Sequence, residues 1–153
     1  MAKQATDQAR QQLQKVFDKL GKFGGTIQTK KPEEWKTFDL EVERMDKETK
    51  DIMIGVFHSV DGEVLFYPQF RLSLKMEEDS IVEAYIHNCI KQTIFGTTEI
   101  DSEDLITGFG NVEKTTPGLE QEFTDFMEDI AKKGPYLTKP EKITKYDRTL
   151  AEA

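Results

Sequence analysis

Residues 52–67 read Ile-Met-Ile-Gly-Val-Phe-His-Ser-Val-Asp-Gly-Glu-Val-Leu-Phe-Tyr, two apolar runs on either side of Asp61-Gly62. Asp-Gly tolerates positive φ at both central positions of a type I′ turn, whose twist matches the flanking strands. A two-residue loop sets the register, so Val60 is expected opposite Glu63, Phe57 opposite Phe66 and Val56 opposite Tyr67. Aromatic cross-strand pairs of this kind contribute roughly 0.2–1 kcal/mol each. Phe57 and Phe66 then share one face, with Ile54, Val56, His58, Leu65 and Tyr67 on the other. Two apolar faces predict a central hairpin, covered by a helix on at least one side.

The pattern continues outward in both directions. Phe70, Leu72, Leu74 and Met76 alternate with Gln69, Arg71, Ser73 and Lys75, the period of a strand with one wet face. Pro68 has no N–H to give a ladder, so it marks a bulge, an edge or a break, and two strand segments are expected to meet there. Glu77-Glu78-Asp79-Ser80 reads as a turn, and Ile81–His87 and Cys89–Phe95 as one or two further strands. Upstream, Phe38, Leu40 and Val42 alternate with Asp39, Glu41 and Glu43, and Asp46–Asp51 forms a polar loop into Ile52.

Helical spacing governs the flanks. Ala9, Leu13, Val16, Phe17 and Leu20 make one stripe of a helix over Ala5–Leu20, with Gly21 as C-cap and glutamines on the wet side. Gly21–Pro32 reads as a mobile connection, and Pro32-Glu33-Glu34-Trp35 as one helical turn. Ser102 is placed to cap a short helix through Leu105 and Ile106. Thr116 as N-cap and Pro117 at the first helical position open a helix over 117–133, with Leu119, Phe123, Phe126, Met127 and Ile130 as its stripe. Residues 136–153 have little periodicity and read as a partly disordered tail in which Tyr136, Leu137, Ile143 and Tyr146 are the side chains able to dock. The expectation is one α+β domain over residues 1–135. Its antiparallel sheet would be a meander of four to six strands, packed by an N-terminal and a C-terminal helix.

One hundred and fifty-three residues suit a single domain that buries about 68–70% of its unfolded surface. No apolar run approaches the roughly 20 residues of a membrane helix. The N-terminus lacks a secretory apolar core, and the lone Cys89 makes no internal disulfide, which together point to the cytoplasm. The net charge of −8 is unevenly spread. Residues 1–36 carry 8 Lys and Arg against 4 Asp and Glu, whereas residues 37–134 carry 9 against 22. So acidic a middle repels nucleic acid and favours solubility, and reads first as a solvated acidic surface; the alternative is the seat of a protein partner with a basic surface, and a homodimer is a separate reading.

No run spells a catalytic or cofactor motif. His87 and Cys89, two apart on a strand, would share a face within reach of one metal ion, but neither a second Cys nor a nearby His completes a site. The same spacing is poor geometry for a Cys89 nucleophile with His87 as its base, and His58 reads as packed in the sheet. Gly108-Phe109-Gly110-Asn111 lacks the Lys-Ser/Thr of a phosphate loop. Asp101–Asp104 lacks the spacing of a calcium loop. The reading assigns no catalytic, cofactor or metal residues. Its candidate partner-binding residues are the acidic turns, Glu77, Glu78 and Asp79 with Asp101, Glu103 and Asp104, beside an open sheet edge. Phe23, Trp35 and Tyr136 are candidate anchors or covers for sheet edges.

Residues 38–96 carry Val42-Glu43-Arg44, the block His58-Ser59-Val60-Asp61-Gly62-Glu63, and Pro68 followed by Phe70-Arg71-Leu72. This stretch resembles an uncharacterised domain family of phage and mobile-element proteins. It departs at the proline, where that pattern has flanking acids and this chain has Tyr67 and Gln69. The resemblance implies a setting, not a mechanism. The functional expectation is a small acidic binding protein without catalytic activity, an accessory or anti-defence protein of a mobile element. The alternatives are an acidic dimeric chaperone and an enzyme whose site is assembled from distant residues.

Overall fold

The computed structural model describes residues 2–21, 23–30, 37–44, 51–60, 62–108, 111–114, 118–133 and 142–148. Its elements are β1 (Lys3–Gln4), α1 (Asp7–Leu20), β2 (Gly24–Lys30), β3 (Thr37–Arg44), β4 (Asp51–Val60), β5 (Glu63–Glu77), β6 (Ser80–Thr93), β7 (Gly96–Asp101), β8 (Leu105–Gly108), β9 (Asn111–Lys114), α2 (Leu119–Glu128) and β10 (Lys142–Lys145). A π-helical turn, Asp129–Lys133, extends α2. All ten strands belong to one antiparallel sheet, ordered β10-β2-β3-β4-β5-β6-β7-β8-β9, with β1 added beside β6.

The expected α+β domain, with four to six strands between two terminal helices, is therefore corrected. The sheet is about twice as wide and the helices are a minor covering. The chain also returns after α2 to place β10 outside β2. The missed strands are β1, β2, β7, β8, β9 and β10. They are short and rich in Gly, Thr, Lys and Glu, so their own alternation is weak. Each becomes a strand by pairing with a neighbour already in place, which is how strand preference depends on context. The connection expected at 21–32 is largely β2, and the helix expected after Ser102 is β8. Residues 136–153, read as a tail, contribute β10. Pro32–Trp35, Tyr136 and the loop at 45–50 lie outside the described residues.

The central hairpin follows its turn chemistry for its first part. Val60 pairs with Glu63 and Phe57 with Phe66, whose ring centroids are 5.4 Å apart. Gly55 then pairs with Gln69, so Tyr67 and Pro68 together oppose the single residue Val56. The proline has made a bulge, not an end, and the expected pairing of Val56 with Tyr67 is replaced by it. β5 continues through Pro68 for 15 residues. Gly55 has no room for a side chain because the Phe66 ring lies over it. A Cβ there would approach that ring to 3.0 Å and the Pro68 carbonyl oxygen to 2.8 Å.

One face of the sheet makes the core. Ile52 and Ile54 on β4 meet Leu72 and Phe70 on β5, which meet Ile86 and Cys89 on β6, and Cys89 meets Ile100 on β7. Both helices lie on this face. α1 buries the expected stripe of Ala9, Leu13, Val16, Phe17 and Leu20. Phe123 and Phe126 of α2 each set a ring 5.1 Å from that of Phe70. Thr6 caps α1 by accepting from the Ala9 N–H at 3.2 Å, and Gly21, at φ 85°, ends it.

β6 has two partners on one side. β7 runs along its upper half, residues 88–93, and β1 takes over below, pairing Lys3 with Ile86 and Gln4 with Tyr85. Below β1, α1 covers what is left of that edge. Gln14 accepts from the Ile81 N–H at 2.7 Å and Arg10 donates to the Ile81 carbonyl at 2.9 Å. Gln14, read as part of the wet face of α1, instead pairs a bare strand edge, which an open sheet must do somehow.

Candidate partner-binding surfaces

Turns of an antiparallel meander alternate between its two ends. The β5–β6 turn (Glu78-Asp79) and the β7–β8 turn (Ser102–Asp104) share one end. The β4–β5 turn at Gly62 and the β6–β7 turn (Ile94-Phe95) share the other. The first end is acidic and the second apolar.

At the acidic end, Glu77, Glu78 and Asp79 are exposed on a two-residue turn, with Glu78 at φ 57°. Asp101, Glu103 and Asp104 behave differently. The Asp101 carboxylate accepts from the Glu103 N–H at 2.9 Å and from the Leu105 N–H at 3.1 Å, folding the turn around itself. Asp104 accepts from the Leu119 N–H at 2.8 Å and so caps α2 from another element. Its other oxygen is 3.8 Å from Lys3 Nζ. The cap residue of α2 is Gly118, not the expected Thr116, which with Pro117 lies outside the described residues. A Cβ at position 118 would stand 2.6 Å from the Asp104 carboxyl carbon, so glycine makes room for the borrowed cap. Of the six acidic candidates, four are exposed: Glu77, Glu78, Asp79 and Glu103. The two acidic turns are separated by β1, and neither lies on β10.

At the other end, Ile94 and Phe95 form the β6–β7 turn and are 66% and 79% exposed. Val64 and Tyr67 of β5 are also exposed toward this end, Val64 on the face of Phe66 and Tyr67 on the opposite, helix-bearing face under Lys91. The two hairpin tips are tied by the Gln92 side chain, whose Oε1 accepts from the Phe66 N–H at 2.9 Å. Thr93 holds the turn by accepting from the Phe95 N–H and donating to the Gly96 carbonyl, both at 3.1 Å. Lys91 stands 5.7 Å over the Tyr67 ring and 3.2 Å from Glu122 of α2. Five large apolar side chains are exposed among the described residues; four are here and the fifth, Ile143, is on β10. Sequence reading counted Ile94 and Phe95 as the end of a strand. The missed signal was Gly96, whose φ of 141° closes the turn.

The histidine and cysteine do not meet. Arg71 pairs with Asn88 and Leu72 with Ile86, so His87 is the extra residue of a bulge. The bulge breaks the two-residue alternation, leaving Cys89 in the core and His87 on the polar face. Burial pushes the Cys89 thiol up to about 12, which makes it inert as a nucleophile. His87 Nε2 is 2.5 Å from the Ser73 hydroxyl, and that hydroxyl donates to the Asp51 carboxylate at 2.8 Å. Asp51, Ser73 and His87 thus form one hydrogen-bonded chain across the polar face. His58 pairs with Leu65 in the ladder, and its side chain lies outside the described residues. No group of three or more His, Cys, Asp or Glu among the described residues is placed to hold a metal. Gly108 pairs with Asn111 at the end of the β8–β9 ladder, and Phe109 and Gly110 lie outside the described residues.

A third polar group lies where β10 meets the sheet. Tyr146, just past β10, donates its hydroxyl to Glu41 at 2.5 Å and its N–H to the Gly24 carbonyl at 3.0 Å. Burial, then the bond to Glu41, raises the tyrosine pKa above its ordinary value, so the hydroxyl stays a donor. Glu43 is also raised, first by burial and then by Glu41, and its Oε1 is shut from solvent with no hydrogen-bond partner.

No protein-family model matches the chain, and neither a curated protein nor a solved structure matches it.

Proposed function

We propose that this is a non-catalytic binding protein of the cytoplasm that docks a protein partner on the apolar end of its sheet. The observation that carries this reading is the Ile94-Phe95 turn. Turns favour Gly, Asn, Asp, Ser and Pro, and Ile and Phe there gain nothing for the folded monomer. Large apolar side chains exposed on a turn, with Val64 and Tyr67 exposed on the two faces behind it, mark a contact surface. Among the described residues no helix is long and apolar enough to cross a membrane. The acidic central block adds the partner's character: a surface with basic residues around an apolar socket. An accessory or anti-defence role in a mobile element is the setting drawn from the resemblance of residues 38–96, and a basic nucleic-acid-binding protein is the partner such a setting offers.

The test is affinity purification from the native host with two baits, the wild-type chain and the Ile94→Ser/Phe95→Ser variant, read by mass spectrometry. A protein recovered by the first and lost by the second supports the reading. An unchanged set of captured proteins removes the apolar end from consideration. The same exposed end also favours a second reading, an acidic chaperone. Dimerisation on sizing and capture of one aggregation-prone client would select it. Binding of a single basic protein that weakens with salt would select the inhibitor.

A further inference from the structure

β10 is an edge strand that puts no side chain into the core. All four of its residues, Lys142 to Lys145, are exposed. Its hold on the sheet is the four-pair ladder to β2, plus Tyr146 beyond it. β2 itself is firmly built in, with Ile27 fully buried and a seven-pair ladder to β3. Tyr146 reaches Glu41 on β3 by crossing β2 where the latter is Gly24-Gly25. Neither glycine can carry a side chain. A Cβ at Gly24 would stand 2.0 Å from the Val42 carbonyl oxygen, and one at Gly25 would stand 2.1 Å from that of Thr144.

We propose that the outer edge of β2 is a strand-accepting site that residues 142–146 occupy in cis, and that it takes in trans an extended basic segment of the same pattern. That pattern is a β-branched residue opposite Ile27, as Ile143 is now, and a tyrosine three residues later over the two glycines. Backbone bonds to β2 supply the affinity of such strand addition, and the side-chain positions supply the selectivity. Positive charge is part of the pattern for two reasons. The seated strand carries Lys142 and Lys145, and its tyrosine lands on the Glu41 carboxylate. Glu43, two residues along β3 from Glu41 and with one oxygen lacking a hydrogen-bond partner, adds a second carboxylate to the seat and so favours a positively charged segment. The cis strand then acts as a built-in competitor. Apparent affinity for a trans segment is reduced by the fraction of molecules whose edge is closed. This surface is separate from the apolar end and does not depend on it.

The experiment uses the full chain and, as probe, a fluorescent peptide with the sequence of residues 141–148. The Tyr146→Ala chain, its cis strand weakened, is expected to bind the peptide about tenfold more tightly than wild type, since a hydrogen bond to a charged group is lost only in cis. Thr26→Cys/Thr144→Cys joins a directly opposed pair, and its oxidised form should bind no peptide until reduced. Amide exchange on the wild-type chain provides a measurement that needs no variant: β10 amides should exchange far faster than those of β5 and β6. Equal peptide affinity for all three chains, no binding to Tyr146→Ala, or β10 protection equal to that of β5 overturns the proposal. Ile94→Ser/Phe95→Ser should leave peptide binding unchanged, so failure at one surface is distinguishable from failure at the other.

Discussion

The two ends of the sheet carry opposite chemistry and put it to opposite use. At the acidic end, Asp101 and Asp104 are spent inside the fold: one shapes the β7–β8 turn and the other caps α2. At the apolar end, Ile94 and Phe95 are held on a well-bonded turn yet point no surface into the core. Residue type alone would assign them the other way, the carboxylates to a partner and the hydrophobic residues to the interior. A short carboxylate beside unpaired backbone N–H groups is a structural device. A hydrophobic pair on a rigid turn is a surface device, because its exposure has no compensating gain within the monomer.

That contrast can be broken most directly at the apolar end. Ile94→Ser/Phe95→Ser should cost the partner complex about 2 kcal/mol or more, the scale of an interface hot spot. Thermal stability should remain within about 0.5 kcal/mol of wild type, as for other surface changes. Titration calorimetry with the captured partner and thermal unfolding of the free chain read the two numbers. A drop in stability with binding intact would reverse the assignment.

Asp104→Ala should do the opposite. It removes the cap from Leu119 and puts alanine at φ 63°, and the cost is about 1–2 kcal/mol of stability. Asp104→Asn, which tolerates that backbone and keeps an acceptor, should recover part of the loss. Denaturant unfolding of the two variants measures both effects.

The remaining acidic turn provides a smaller effect. Reversing Glu77, Glu78 and Asp79 to lysine should slow association at low salt by several-fold, on the order of 1 kcal/mol, and flatten its salt dependence. Dissociation and stability should change little, since the three side chains are exposed. Stopped-flow mixing at two ionic strengths tests this. An unchanged rate at low salt would mean that the turn is only a solvated turn.

The smallest effect belongs to Glu43. Its folded-state pKa is raised by burial and by Glu41, so the folded chain holds the proton more tightly than the unfolded one. The stability this proton confers is complete below the ordinary carboxylate range and is lost as pH rises through the raised value. Glu43→Gln should therefore match wild type at acid pH and exceed it at neutral pH. The gain is about 0.3–0.5 kcal/mol, because the group is partly exposed and screened. Unfolding curves at pH 4 and pH 7 give the comparison, and equal differences at both would show that Glu43 is fully solvated.

Much of the centre was legible because its signals are local. The stripe of α1, the Phe57–Phe66 pair and the turn at Glu78-Asp79 depend on 3.6-residue spacing, on Asp-Gly chemistry and on a polar pair between apolar runs. Local chemistry also marked Pro68 and the start of the acidic clusters. It did not show that the proline would bulge a continuous strand, or that the extra residue at His87 would send His87 and Cys89 to opposite faces. Alternation predicts a face only while the ladder keeps its register, and bulges change register without leaving a mark in hydrophobic pattern.

The chain's own residues thus determined one long helix, a second helix stripe and a central hairpin with its neighbours. Six further strands, the cap that Asp104 lends to α2, the exposure of Ile94 and Phe95 and the seating of Tyr146 on Glu41 were decided by tertiary structure. The physical reason is the same in each case. A short polar strand, a capping carboxylate and a turn residue have no preferred partner within a few residues of themselves. They are assigned one only when a distant segment arrives with an open edge, an unpaired N–H or a place without a side chain.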